Sequence, residues 1–295
     1  MDTLATAFGQ QIRKAMSLSK VPSVITEHNV YQEGDNNILP ILDEMANMLI
    51  LPGSRLDGLE NLEELLAKAE SGKSCLLLLE HYSNFDLSIF SLMTRKAGGR
   101  GADISKALVA IAGMKLNEDN PAVAAFAGAY TRIVIYPSRS LPDLDGEKNQ
   151  DEIIRSNAIN WAAMKSLAEL KAKGRLVLVF PAGTRYRPWD PASKKGVREI
   201  DSYIRSFDYM CCVALNGQIL HVNKTDMLND MVAKDLLLVT AGPVQSCAGF
   251  RDRARAAAEA AGIEDLKQAA VDAVMADLER LHLLAEEKRQ KLLRE

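Results

Sequence analysis

The sequence predicts an α/β fold: a central mixed, largely parallel sheet flanked by helices, with a smaller N-terminal all-helical domain. Three observations carry this expectation. After Gly72, short apolar runs rich in β-branched residues alternate with helix-length segments. Before Gly72, apolar residues recur only at helical spacing. The 295 residues, 47% hydrophobic and 25% charged, have an ordinary globular composition with room for one large core and a smaller unit. The expected division is 1–70 for the helical part and 71–295 for the α/β part.

Leu4, Phe8, Ile12 and Met16 fall on every fourth position and make an amphipathic stripe. Its polar face is not rich in Lys or Arg, so the stripe reads as packing against the body rather than lying on a membrane. Two further helices are expected in "NNILPILDEMANMLIL" and "DGLENLEELLAKAESGK", the second capped by Asp57 and closed by Gly72. The expected strands are "CLLLLE", "ALVAIAG", "TRIVIYP", "RLVLVFP", "CCVALNG" and "KDLLLVTAG". Between them lie helical patterns over 86–95 and 151–172, the latter closed by Gly174, and after 249 two helices broken near Gly262. The Pro, Asp and Gly content of 136–152 marks a long surface loop, and loops of that length are often functional.

Charge and composition narrow the function. With 36 basic and 39 acidic residues the net charge is −3, so no global field draws in nucleic acid, and an anion site must be local. Cys75, Cys211, Cys212 and Cys247 have no CxxC spacing and sit in or beside apolar runs, as buried thiols of a reducing compartment do. His28, His81, His221 and His282 are scattered, and no metal is expected. No apolar run reaches the roughly 18 residues of a membrane span, and the N-terminus lacks signal-peptide character. A cytoplasmic protein follows, with peripheral membrane contact left open.

Chemistry is expected beyond the carboxyl ends of the parallel strands. After "CLLLLE" the chain places His81 and Asp86 at a strand-to-helix junction. A carboxylate there can fix the imidazole tautomer and leave the other ring nitrogen as a general base. The alternative is that Asp86 or Asn84 caps the following helix and His81 is a loop histidine. After "RLVLVFP", the segment "FPAGTRYRP" sets Gly183 and Thr184 in a turn followed by Arg185 and Arg187, a combination suited to phosphate. Arginines two apart also commonly do no more than solvate a loop.

Taken together, "HYSNFD" and "FPAGTR", each after a strand and about a hundred residues apart, resemble the first and third blocks of the glycerophospholipid acyltransferase superfamily. The chain looks closest to its soluble plastid-type glycerol-3-phosphate 1-acyltransferases, through "GLENLEELLAKAESGKS", "FAGAYTRIVIYPSR" and "GTRYRP", over roughly 58–220. It departs from the superfamily at Ala182, where a glutamate is usual, which favours the plastid-type branch. It also carries Tyr136, Pro137, Ser138, Arg139 and Ser140 where that branch has basic residues and a histidine.

The resemblance implies acyl transfer from acyl-carrier protein or acyl-coenzyme A to the sn-1 hydroxyl of glycerol 3-phosphate, without a cofactor. His81 would be the base and Asp86 its partner; Arg185 and Arg187, with Arg139, would hold the phosphate beside Gly183 and Thr184. Amides near Gly183 or Ser83 would steady the oxyanion. A lysophosphatidate or other lysolipid acyltransferase would use the same pair, and a non-catalytic lipid- or carrier-binding module stands outside enzymology. No GxSxG elbow points to an acyl-enzyme. An acidic carrier protein would need a basic patch; Lys194, Lys195 and Arg198, or the run 251–255, are candidates that read equally as solvated charge.

Overall fold

The computed structural model describes residues 2–118, 120–137 and 149–294. Its centre is a nine-stranded sheet in the order β1-β5-β4-β6-β3-β7-β10-β2, with β11 also paired to β7. The strands are β1 (Tyr31–Gln32), β2 (Arg55–Asp57), β3 (Cys75–Leu79), β4 (Leu108–Gly113), β5 (Arg132–Ile135), β6 (Leu176–Val179), β7 (Tyr209–Asn216), β10 (Leu238–Ala241) and β11 (Gln245–Ser246). Strands β8 (Leu220–His221) and β9 (Met231–Val232) form a separate ribbon. From β5 through β7 every pairing is parallel; β10 runs antiparallel to β7, and β1 antiparallel to β5. The predicted α/β class, with a mixed and mostly parallel sheet, is the observed one.

The helices are α1 (Leu4–Leu18), α2 (Leu39–Leu49), α3 (Leu59–Glu70), α4 (Asp86–Lys96), α5 (Gly101–Ala107), α6 (Lys115–Glu118), α7 (Pro121–Gly128), α8 (Gln150–Ala172), α9 (Ile200–Ser206), α10 (Cys247–Ala260) and α11 (Leu266–Leu292). Both faces of the sheet are covered, which is why β3 is apolar without interruption. Its side chains alternate: Cys75, Leu77 and Leu79 join a core with α1 to α4, and Leu76 and Leu78 join a second core with α9 to α11. A third core lies between β4, β5 and α8.

All six predicted strands are strands, and the break between α10 and α11 falls at Gly262, whose φ is +71°. Two expectations are corrected. The first seventy residues are not wholly helical: they also supply β1 and β2, the strands at the two edges of the sheet. Asp57 does not cap α3; it ends β2 and accepts from Arg55 Nε at 2.9 Å, while Gly58 enters the helix in the left-handed region with φ +84°. Among the described residues, no helix is long and apolar enough to cross a membrane.

Candidate active site

Strand β3 ends at Leu79, and the turn 80–85 returns the chain into α4. That turn brings His81 Nδ1 to 2.8 Å from Asp86 Oδ2. The same carboxylate accepts from the Tyr82 amide at 2.5 Å, the Ser83 amide at 2.8 Å and Ser83 Oγ at 2.8 Å. Four donors thus converge on one buried carboxylate. None of them belongs to α4, so helix capping is not what Asp86 does. With Nδ1–H donating to Asp86, the His81 tautomer leaves the Nε2 lone pair as the basic position.

The imidazole is fixed from its other side as well. Phe180 stacks on it with ring centroids 4.0 Å apart and planes 19° apart. Phe180 follows β6, the strand next to β3, so the parallel register delivers both loops to one end of the sheet. Gly183, with φ +60°, closes the turn after Pro181 by donating to the Phe180 carbonyl at 2.8 Å. The Tyr186 amide then donates to the His81 carbonyl at 2.8 Å. Arg185 and Arg187 thus flank a residue fastened to His81 itself.

The two arginines differ. Arg185 Nη1 lies 2.9 Å from Oδ2 of Asp230, whose side chain has 0% exposure and whose Oδ1 accepts from the Asn223 amide at 2.7 Å. Asp230 also anchors α1, through its carbonyl and the Leu4 amide at 2.8 Å. Arg185 is therefore oriented by a rigid partner and not free to solvate a loop. Arg187 is exposed, with Asp190 4.0 Å away. Thr184 is half-buried in the same turn, and Arg139 lies outside the described residues.

These contacts bear on two of the expected roles. The Gly183 amide is engaged by Phe180 and the Ser83 amide by Asp86, so neither is a spare donor for an oxyanion. Of the charges considered for carrier docking, Arg251 is turned inward onto buried Asp201 at 2.6 Å. Lys194 and Arg198 pair with Glu279 and Asp265. The four cysteines are buried and free, and burial pushes the thiols of Cys75, Cys211 and Cys247 up to about 12.

Two neighbours went unrecognised as site residues in the sequence. Glu80, the residue before His81, accepts from the Leu215 amide at 2.8 Å, from the Tyr82 hydroxyl at 2.9 Å and from His282 Nδ1 at 2.9 Å. It ties β7, the histidine turn and α11 together. A signal existed in α11: Leu278, His282, Ala285 and Arg289 follow one another at helical spacing along its inward stripe, where two ionisable residues are out of place. Burial acts to lower the pKa of His282, but the hydrogen bond and charge of Glu80 outweigh it and hold the imidazole above its ordinary 6.5. Burial, with Glu80 beside it, pushes the Tyr82 hydroxyl up, so it remains a donor.

Because the folded pKa of His282 is raised, the Glu80 contact contributes its full stability below 6.5 and loses it as pH rises through the folded value. The melting-temperature gap between wild type and His282→Gln is expected to be wider at about pH 5.5 than at about pH 8.5. A gap independent of pH would mean that the pair is not charged.

The cleft beside His81 is narrow, bounded by Ala182, Tyr186, Lys194 and Met275. A roomier cavity, about 550 Å³, lies elsewhere, against β1 and the start of β5. Volume shows where a molecule fits, whereas an oriented imidazole shows where a proton can move, so His81 marks the candidate catalytic centre. No protein-family model and no curated protein matches the chain, which leaves the functional reading to these residues and their geometry.

Proposed function

We propose that the protein is an acyltransferase that moves a fatty acyl group from a thioester, acyl-carrier protein or acyl-coenzyme A, to the sn-1 hydroxyl of glycerol 3-phosphate. The observation that carries this reading is the buried Asp86 holding His81 Nδ1 at 2.8 Å beside a glycine turn that bears Arg185 and Arg187. His81 Nε2 takes the hydroxyl proton as the oxygen attacks the thioester carbonyl carbon. The tetrahedral intermediate collapses, the carbon–sulfur bond breaks, and the imidazolium returns its proton to the departing thiolate. Free thiol and acylated glycerol phosphate leave, and the charge on the imidazolium is balanced throughout by Asp86.

General-base help of this kind contributes about 10² to 10⁴ in rate. Arg185, held at one nitrogen by Asp230, offers its remaining donors to the phosphate, with Arg187 and Arg139 as the other cations of the acceptor site. Fixing the phosphate fixes the distance from hydroxyl to base, which is a positioning effect.

The test is thiol release from acyl-coenzyme A and from acyl-carrier protein, with and without glycerol 3-phosphate. Release that requires glycerol 3-phosphate is expected. Release that requires lysophosphatidate instead would reassign the acceptor, and binding of either donor without release would leave a non-catalytic module.

A further inference from the structure

Arg132 is the first residue of β5 and is 2% exposed. Its Nη1 donates to the carbonyls of Ala127 at 2.7 Å and Tyr130 at 3.3 Å, and its Nη2 donates to Gln32 Oε1. Gln32 Oε1 also accepts from Asn117 Nδ2 at 3.1 Å. No carboxylate pairs with this guanidinium among the described residues, and burial alone pulls its pKa down to about 10. Three other arginines set into the body are matched by carboxylates: Arg185 by Asp230, Arg251 by Asp201, Arg289 by Asp235. A buried cation without a counter-charge is costly, and proteins seldom keep one that does nothing.

Two buried polar atoms of this cluster have no partner: Arg132 Nε and Asn117 Oδ1. Beside them opens the cavity of about 550 Å³, with Arg132 and Gln32 in its wall. That volume is in the range of small-molecule sites. Lys20, Asn36 and Asn37 line it too, as do Glu33 and Asp35, one of whose oxygens is held by the Asn37 amide at 2.8 Å and Asn37 Nδ2 at 2.9 Å. Two carboxylates in the wall disfavour a phosphate dianion. A single organic carboxylate carries half the charge and meets the unpaired guanidinium with less of that repulsion, and Val21, Pro22 and Ile38 offer apolar surface to the rest of such a molecule.

We propose that this cavity is a binding site for a small organic monocarboxylate, with Arg132 as its counter-charge and Gln32 fixing the guanidinium. The site is separate from the His81–Asp86 pair and does not depend on the acyltransferase reading.

Benzoate serves as the probe, with neutral benzamide and inorganic phosphate as controls. Melting temperature is expected to rise with benzoate concentration as a ligand of the folded state requires. Benzamide and phosphate should give no comparable rise, and Arg132→Met should weaken benzoate binding at least about tenfold, the loss of one charge-assisted contact. Should that variant fail to fold, amide chemical shifts of wild type take its place: benzoate is expected to move Asn36, Asn37 and Gly128 saturably. An equal response to benzamide, an undiminished response in Arg132→Met, or no saturable shift at those amides would overturn the site and leave its orphaned atoms to water.

Discussion

Replacing His81 with alanine is expected to lower acyl-donor thiol release at least about a hundredfold while leaving the melting temperature near that of wild type. The imidazole is 17% exposed, and it makes one side-chain hydrogen bond and one ring stack. Its backbone carbonyl, which holds the Tyr186 amide, survives the substitution. Removal therefore deletes the base without dismantling the turn. Retention of more than about a tenth of the activity falls short of the general-base range and would show that the proton goes elsewhere. Asp86→Ala should behave differently. It takes the partner from His81 and also strands the amides of Tyr82 and Ser83 and the Ser83 hydroxyl, buried donors that cost about 1–3 kcal/mol each when unmet. Loss of activity with loss of stability in Asp86→Ala, against loss of activity alone in His81→Ala, separates the base from its support.

The pattern of what could be read in the sequence follows the range of the forces involved. The six inner strands were legible because both faces of the sheet are buried and each strand is mostly apolar, without interruption in Leu76 to Leu79. Strands β1 and β2 were not. Each is two or three residues long at an edge, held by one neighbour, and Tyr31 and Arg55 are exposed, so no hydrophobic period marks them. The His81–Asp86 pair was legible because its two members are five residues apart and the turn between them is local. The Glu80–His282 contact spans 202 positions and the Arg185–Asp230 pair 45, and only the folded sheet brings them together. Arg132 was hidden in a different way. It begins a strand of ordinary pattern, and nothing local in "TRIVIYP" distinguishes a guanidinium in solvent from one enclosed beside Gln32 and Asn117.

Outside the site, Gly58→Ala is expected to cost about 2–5 kcal/mol of stability. The residue joins β2 to α3 in the left-handed region, φ +84°, where a side chain alone costs about 1–2 kcal/mol. A Cβ there would also stand 2.2 Å from the Ala241 carbonyl oxygen, at the end of β10. That oxygen cannot move away freely, because β10 is paired on both sides, to β2 and to β7, and Asn61 Nδ2 donates to the same oxygen at 3.0 Å. The clash must be met by displacing β2 from the edge of the sheet or by tilting α3 off the core. Gly262→Ala is the control: its φ is +71°, but nothing lies within 4 Å of the added carbon, so only the backbone term applies, about 1–2 kcal/mol. Urea or thermal unfolding of the two variants separates the terms. A Gly58→Ala loss clearly above that of Gly262→Ala shows that the first seventy residues are locked into the sheet through this close approach, and equal losses would mean that β2 yields without penalty.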